Sequence, residues 1–124
     1  MKDILIIDPC PQTRLCLTPF LKEQGYEPNF VPDAPSALAA LWERPFDLIL
    51  LDTTEPALEG EKLLTTLRGL DPERKQTLVA FVGRGELEKE RRLLDKGATA
   101  CLTKPVDFHD MTMLLDGLAA ISPR

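Results

Sequence analysis

Hydrophobic residues along the chain follow two rhythms that alternate from end to end. Short unbroken runs come first, at Ile4 to Ile7, Asp47 to Leu51, Leu78 to Val82 and Ala100 to Thr103, with a weaker one at Glu27 to Val31. Runs without alternation read as strands buried on both faces. Between and after them, apolar positions recur at helical spacing, and each group is predicted to face the core: Leu15, Leu17, Phe20 and Leu21, then Ala37, Leu38, Leu41 and Trp42. Leu63, Leu64, Leu67 and Leu70 follow, then Leu87, Leu93 and Leu94, and finally Met111, Leu114, Leu115 and Leu118. Strand and helix alternating in this way predict an α/β fold, a parallel sheet with helices on both of its faces.

Prolines, glycines and caps punctuate the same pattern. Pro11 suits a first helical turn and Gly25 a helix stop, while Pro19 lacks the N–H that bonds to Leu15 and predicts a kink. Pro28 places the second strand at a sheet edge. Asp33 and Asp107 are candidate N-caps, Pro45 closes the second helix, and Gly97 ends the fourth, Glu86 to Lys96. With three strong apolar anchors and many charges, that fourth helix is predicted to be the most weakly held element.

A chain of 124 residues is the size of one domain, so residues 1–124 are read as a single unit with a core that needs no disulfide or structural metal. The net charge of -5, with Lys and Arg scattered among acids, excludes a nucleic-acid surface. The amino terminus passes straight into a strand, no apolar stretch approaches ~20 residues, and a cytoplasmic chain without a membrane span is predicted. The last helix ends at Ile121-Ser122-Pro123-Arg124 without an output domain, and the chain is read either as a stand-alone regulator or as a domain excised from a longer protein. Cys10, Cys16 and Cys101 form no C-x-x-C pair and read as reduced thiols; His109, the lone histidine, falls in a helix's first turn and reads as solvated.

Candidate chemistry lies where strands end. Asp8, Asp52 and Lys104 close the first, third and fifth runs, and ligands of open α/β sheets bind beyond the carboxyl ends of strands. Two acids there repel each other unless a cation or Lys104 offsets them. Such a pair favours Mg²⁺, a hard ion that takes one or two carboxylates with water and phosphate oxygens.

Asp52-Thr53-Thr54-Glu55-Pro56-Ala57-Leu58-Glu59-Gly60, Gly97-Ala98 and Lys104-Pro105 resemble the receiver domain of bacterial two-component response regulators. The resemblance runs over nearly the whole chain, from Ile4-Leu5-Ile6-Ile7-Asp8 through Gly25-Tyr26 to the final helix. It implies a flavodoxin-like sheet of order 2-1-3-4-5 in which Asp52 accepts a phosphoryl group from a histidine kinase. It further implies that Lys104 pairs with phosphoryl oxygens, that Asp8, Asp52 and the Thr54 carbonyl surround Mg²⁺, and that the Lys104-Pro105 bond is cis.

Three positions depart from the family pattern. Family members carry two adjacent acids where this chain has Asp8-Pro9. Losing a charge about 4 Å from a divalent ion costs on the order of a few kcal/mol, so Mg²⁺ affinity falls by ~10² or more. Val82 replaces the Ser or Thr whose hydroxyl follows phosphorylation, and Cys101 replaces the switching aromatic, while Gly83 keeps the small residue beside the acceptor. Arg84 is read either as a solvated loop charge or as an occupant of the depleted metal site, paired with Asp8 or Asp52.

Two functions follow. The chain is a pseudo-receiver that signals by protein contact with weak or no phosphorylation, or a phosphoacceptor modified at Asp52 with Mg²⁺. Partners implied in either case are a histidine kinase or another signalling protein on the surface of the fourth helix, fifth strand and fifth helix, or a second copy in a homodimer. A flavin carrier on the same fold is disfavoured, because Pro9-Cys10-Pro11-Gln12-Thr13 offers no glycine-rich phosphate cradle.

Overall fold

The computed structural model describes residues 2–121; Met1 and the closing residues 122–124 lie outside the described residues. Five strands, β1 (Lys2–Ile7), β2 (Tyr26–Val31), β3 (Leu48–Asp52), β4 (Leu78–Gly83) and β5 (Ala100–Lys104), form one parallel sheet. Its order is β2-β1-β3-β4-β5, the flavodoxin-like arrangement. Helices α1 (Pro11–Glu23), α2 (Ala34–Glu43), α3 (Gly60–Gly69), α4 (Leu87–Asp95) and α5 (Phe108–Ile121) follow the strands in turn. A single 3₁₀ turn, Pro56–Leu58, precedes α3 and was not signalled by hydrophobic spacing.

Because each strand alternates faces, one sheet feeds two cores. Leu5, Ile7, Ile49, Leu51, Ala80 and Val82 pack against α2, α3 and α4. Ile4, Ile6, Leu50, Val79 and Phe81 pack against α1 and α5 through Leu17, Leu21, Met111 and Leu115. Pro28 sits in β2, which pairs only with β1, so its missing N–H costs no ladder bond. Asp33 caps α2 by accepting from Ser36 N at 2.9 Å, and Asp107 caps α5 by accepting from His109 N at 2.8 Å. Helix α1 continues through Pro19, whose ring lies on the exposed side and leaves the Leu15 carbonyl without a helical donor. No helix among the described residues is long and apolar enough to cross a membrane.

Several positions expected in the core lie outside it. Leu15 is 74% exposed, Trp42 91% and Leu70 71%. At 3.6 residues per turn, Trp42 stands about 140° around α2 from the fully buried Ala37, beyond the stripe that a helix lays on a sheet. Leu70 has the right angle but follows the last residue of α3 and is left exposed. In α4 only Leu93 is buried, while Leu87 and Leu94 face outward.

Candidate functional site

Both candidate acids are held by ladder geometry. Asp8 follows β1 and extends its pairing through Asp8 N to Val31 O at 3.0 Å; Asp52 is the last residue of β3, opposite Phe81. Thr53 then donates from N–H and hydroxyl to the Phe81 carbonyl, at 3.1 and 2.6 Å, which fixes the chain as it leaves the sheet. Lys104 ends β5, its ammonium 5.4 Å from the Phe81 ring centroid. The Lys104-Pro105 bond is cis, as expected.

These elements bring all three charges together. Lys104 Nζ lies 2.6 Å from Asp8 Oδ2 and 3.2 Å from Asp52 Oδ1, and neither carboxylate side chain is exposed. Their remaining lone pairs are also engaged. Asp8 Oδ1 accepts from Cys10 N at 2.9 Å. Asp52 Oδ1 accepts from Thr54 N and Thr54 Oγ1 at 3.0 and 2.7 Å, and Asp52 Oδ2 from Glu55 N at 3.2 Å. Thr54, expected to act through its carbonyl, turns its N–H and hydroxyl to the acid.

Two hard carboxylates suit Mg²⁺ in kind, yet all four oxygens already serve protein donors, and Lys104 supplies the positive charge between them. Pro9 brings no third acid, and among the described residues no group of three His, Cys, Asp or Glu side chains converges. The residues therefore do not fit a tightly held divalent ion.

Val82 is buried and offers no hydroxyl. Cys101 is tucked against the Glu90 carbonyl, and burial, aided by Glu90, pushes its thiol up to about 11, so it is inert. Of the two readings of Arg84 the structure agrees with the solvated loop charge: it is exposed and makes no ion pair with Asp8 or Asp52, between which Lys104 lies. Cys10 was read only as a reduced thiol. It stands at the N-cap of α1, where the Thr13 N–H and hydroxyl, with Lys104 further off, hold its thiol below the usual range.

A second set of contacts was missed altogether. Lys89, in the first turn of α4, donates to the Thr53 carbonyl beside Asp52. Glu86 accepts from Gly83 N at 2.7 Å and closes the turn that leads into α4. Glu61 of α3 takes Arg92 Nε at 2.5 Å and Lys96 Nζ at 2.9 Å. Lys89, Arg92 and Lys96 fall at i, i+3 and i+7, one stripe of a helix, so a basic stripe facing α3 was legible in the spacing. Ionic ties thus hold the helix that its leucines hold weakly.

The hydrogen bond from Arg92, then that from Lys96, pulls the Glu61 carboxyl from 4.5 to about 2. A carboxyl depressed on folding stabilises above its unfolded value and loses that contribution as pH falls through its folded one. Glu61→Gln is therefore expected to cost less than about 1 kcal/mol near neutrality, a surface-network value. Urea unfolding of both proteins should give curves that converge between pH 4.5 and about 2.

The family model of the response regulator receiver domain matches residues 4–116. The chain is 28% identical to the sensor protein GacS of Pseudomonas syringae over 97% of its own length but 14% of that protein. It is 32% identical to the transcriptional regulatory protein HprR of Escherichia coli over 87% of the chain and 47% of HprR. The chain thus spans under half of either relative. Among solved structures, a CheY-like receiver domain protein of Methanospirillum hungatei is 29% identical, covers 94% of this chain and 92% of its own, and superposes with a TM-score of 0.81. A response regulator of Clostridium difficile, 20% identical with full coverage of both chains, reaches 0.88.

Proposed function

The chain belongs to the response regulator receiver domain family, a family of signalling modules rather than of classical enzymes, and from that premise we propose that it is an atypical receiver signalling by protein contact with weak or no phosphorylation. One observation carries this reading: Lys104 and the neighbouring backbone donors already satisfy Asp8 and Asp52, so the pocket is neutralised from within. Phosphoryl transfer rests on positioning and charge neutralisation by a metal and a cation. With Pro9 in place of an acid, the first requirement is weakened, and with Val82 and Cys101 the groups that relay the outcome are missing.

The partner surface in this reading is the α4–β5–α5 face, toward a histidine kinase or another signalling protein. Leu87, 72% exposed on α4, and Met113, 61% exposed on α5, give it apolar anchors. Lys89 and Glu61 tie α4, which carries part of that face, to the Thr53 carbonyl and to α3.

A second reading, phosphoacceptor chemistry at Asp52, is favoured by one distance. Lys104 Nζ at 3.2 Å from Asp52 Oδ1 is near enough to meet a phosphoryl oxygen on that acid. The two readings separate on metal affinity. Titration with Mg²⁺ followed by amide NMR should give a Kd near or above the millimolar range for the natural chain, and Pro9→Asp should tighten it by ~10². Tight Mg²⁺ binding by the natural chain favours the second reading.

A further inference from the structure

Val82 brings no hydroxyl and Cys101 no aromatic ring to carry the state of the acids toward α4, yet a different set of contacts spans that gap. It runs through one peptide unit. The bond between Thr53 and Thr54 is trans, so its C=O and its N–H point to opposite sides of one rigid plane. The Thr54 N–H donates to Asp52 Oδ1 at 3.0 Å, and the Thr53 carbonyl accepts from Lys89 Nζ. The carboxylate of Asp52 and the ammonium of an α4 side chain thus hold the two sides of the same plane.

Two further observations set Lys89 apart from an ordinary surface charge. Its side chain is only 21% exposed, and it stands in the first turn of α4, where a cation opposes the helix dipole and the helix itself gives no reason for it. The contacts around it also close a ring. Lys89 Nζ lies 3.9 Å from Glu86 Oε1, and that oxygen accepts from Gly83 N at 2.7 Å. Gly83 is paired with Lys104 across β4 and β5, and Lys104 Nζ returns to Asp52 Oδ1 at 3.2 Å.

We infer that Lys89 and the Thr53–Thr54 peptide couple Asp52 to α4, so that a change in what Asp52 accepts alters how firmly the start of that helix is held. An N–H that donates to a carboxylate makes the carbonyl of its own peptide a stronger acceptor, because the two belong to one conjugated group. Any group that draws the Thr54 N–H off Asp52 weakens or turns that carbonyl, and Lys89 loses its partner. Helix α4 is open to such a change because Leu93 is its one buried residue, and Glu61 holds it only further along, through Arg92 and Lys96. The inference deepens the reading above by giving the acid pair a route to the α4 surface, and it rests on that reading only for the claim that a partner docks there.

Amide hydrogen exchange followed by NMR tests the link on the full chain, without metal or phosphate, in the natural protein, Lys89→Met, Asp52→Ala and the double variant. Loss of one charge-assisted hydrogen bond in Lys89→Met should speed exchange at residues 90–93 by about tenfold. Asp52→Ala, although it lies on another element, should speed the same amides by about twofold or more. The double variant should exchange no faster than Lys89→Met alone, because both changes act on one link. Helix α2, packed on the same face of the sheet but outside the ring, should be unchanged throughout and reports on the fold as a whole. If α2 also loses protection in Asp52→Ala, Asp52→Asn, which keeps the shape and removes the charge, takes its place with the same expectation. Residues 90–93 exchanging at the natural rate when Asp52 is changed would overturn the inference, as would effects of the two substitutions that multiply in the double variant. The Mg²⁺ titration answers a separate question, so either result can fail without the other.

Discussion

Lys104→Met is expected to destabilise the fold by about 3–5 kcal/mol at neutral pH, read as a fall in the urea midpoint without a change in slope. The ammonium is the only cation within 4.0 Å of the two carboxylates among the described residues, and it is itself only 17% exposed. Removing it leaves Asp8 and Asp52 facing each other in a site closed to water, with backbone and Thr54 donors but no counter-charge. A buried pair gains little over an apolar substitute, yet breaking it strands the survivors. The loss should be non-additive. Adding Asp8→Asn to Lys104→Met removes the repulsion and should recover more than half of it, a coupling that a double-mutant cycle measures directly.

Gly60→Ala is expected to be nearly as damaging, about 2–4 kcal/mol. A Cβ at residue 60 would stand 2.1 Å from the Asp52 carbonyl oxygen and 3.1 Å from Thr53 Cα, both backbone atoms that no rotamer can move aside. Either α3 withdraws from the sheet or the end of β3 shifts, and the second route displaces Asp52 from Lys104. Gly69, at the other end of the same helix, is the internal control. A Cβ there meets nothing within 4 Å, so Gly69→Ala should be neutral or stabilise by up to about 1 kcal/mol. Thermal or urea unfolding of the two variants side by side separates close approach from generic loss of glycine.

Why Gly60 matters was not legible in the chain, although the residue belonged to the quoted motif. Glycine before a helix has many uses, and only the coordinates bring it onto the Asp52 carbonyl. The sheet, by contrast, could be read almost whole, because unbroken runs such as Ile4 to Ile7 have one good explanation, burial on both faces. The meeting of Asp8, Asp52 and Lys104 was readable for the same reason. Parallel strands send their carboxyl ends to one edge, so residues that close strands converge without any knowledge of side-chain contacts.

Helix faces were read less well. Trp42, Leu15 and Leu70 carry the composition of core positions, but each helix rests on the sheet along a narrow stripe, and spacing alone does not say where that stripe ends. Arg84 left two readings open because a loop position gives no direction for its side chain, and it is the solvated one that the structure agrees with. Lys89 and Glu61 escaped notice because charge on a surface helix usually reads as solvation, and here it ties α4 to α3 and to the carbonyl beside Asp52.

Incubation of the full chain with acetyl phosphate and Mg²⁺, followed by intact mass and by comparison with Asp52→Asn, tests most directly whether the acidic pair is closed by Lys104. The expected result is a natural chain whose mass matches its unmodified value, indistinguishable in behaviour from Asp52→Asn. Ready, Mg²⁺-dependent gain of one phosphoryl group, lost in Asp52→Asn, would contradict it.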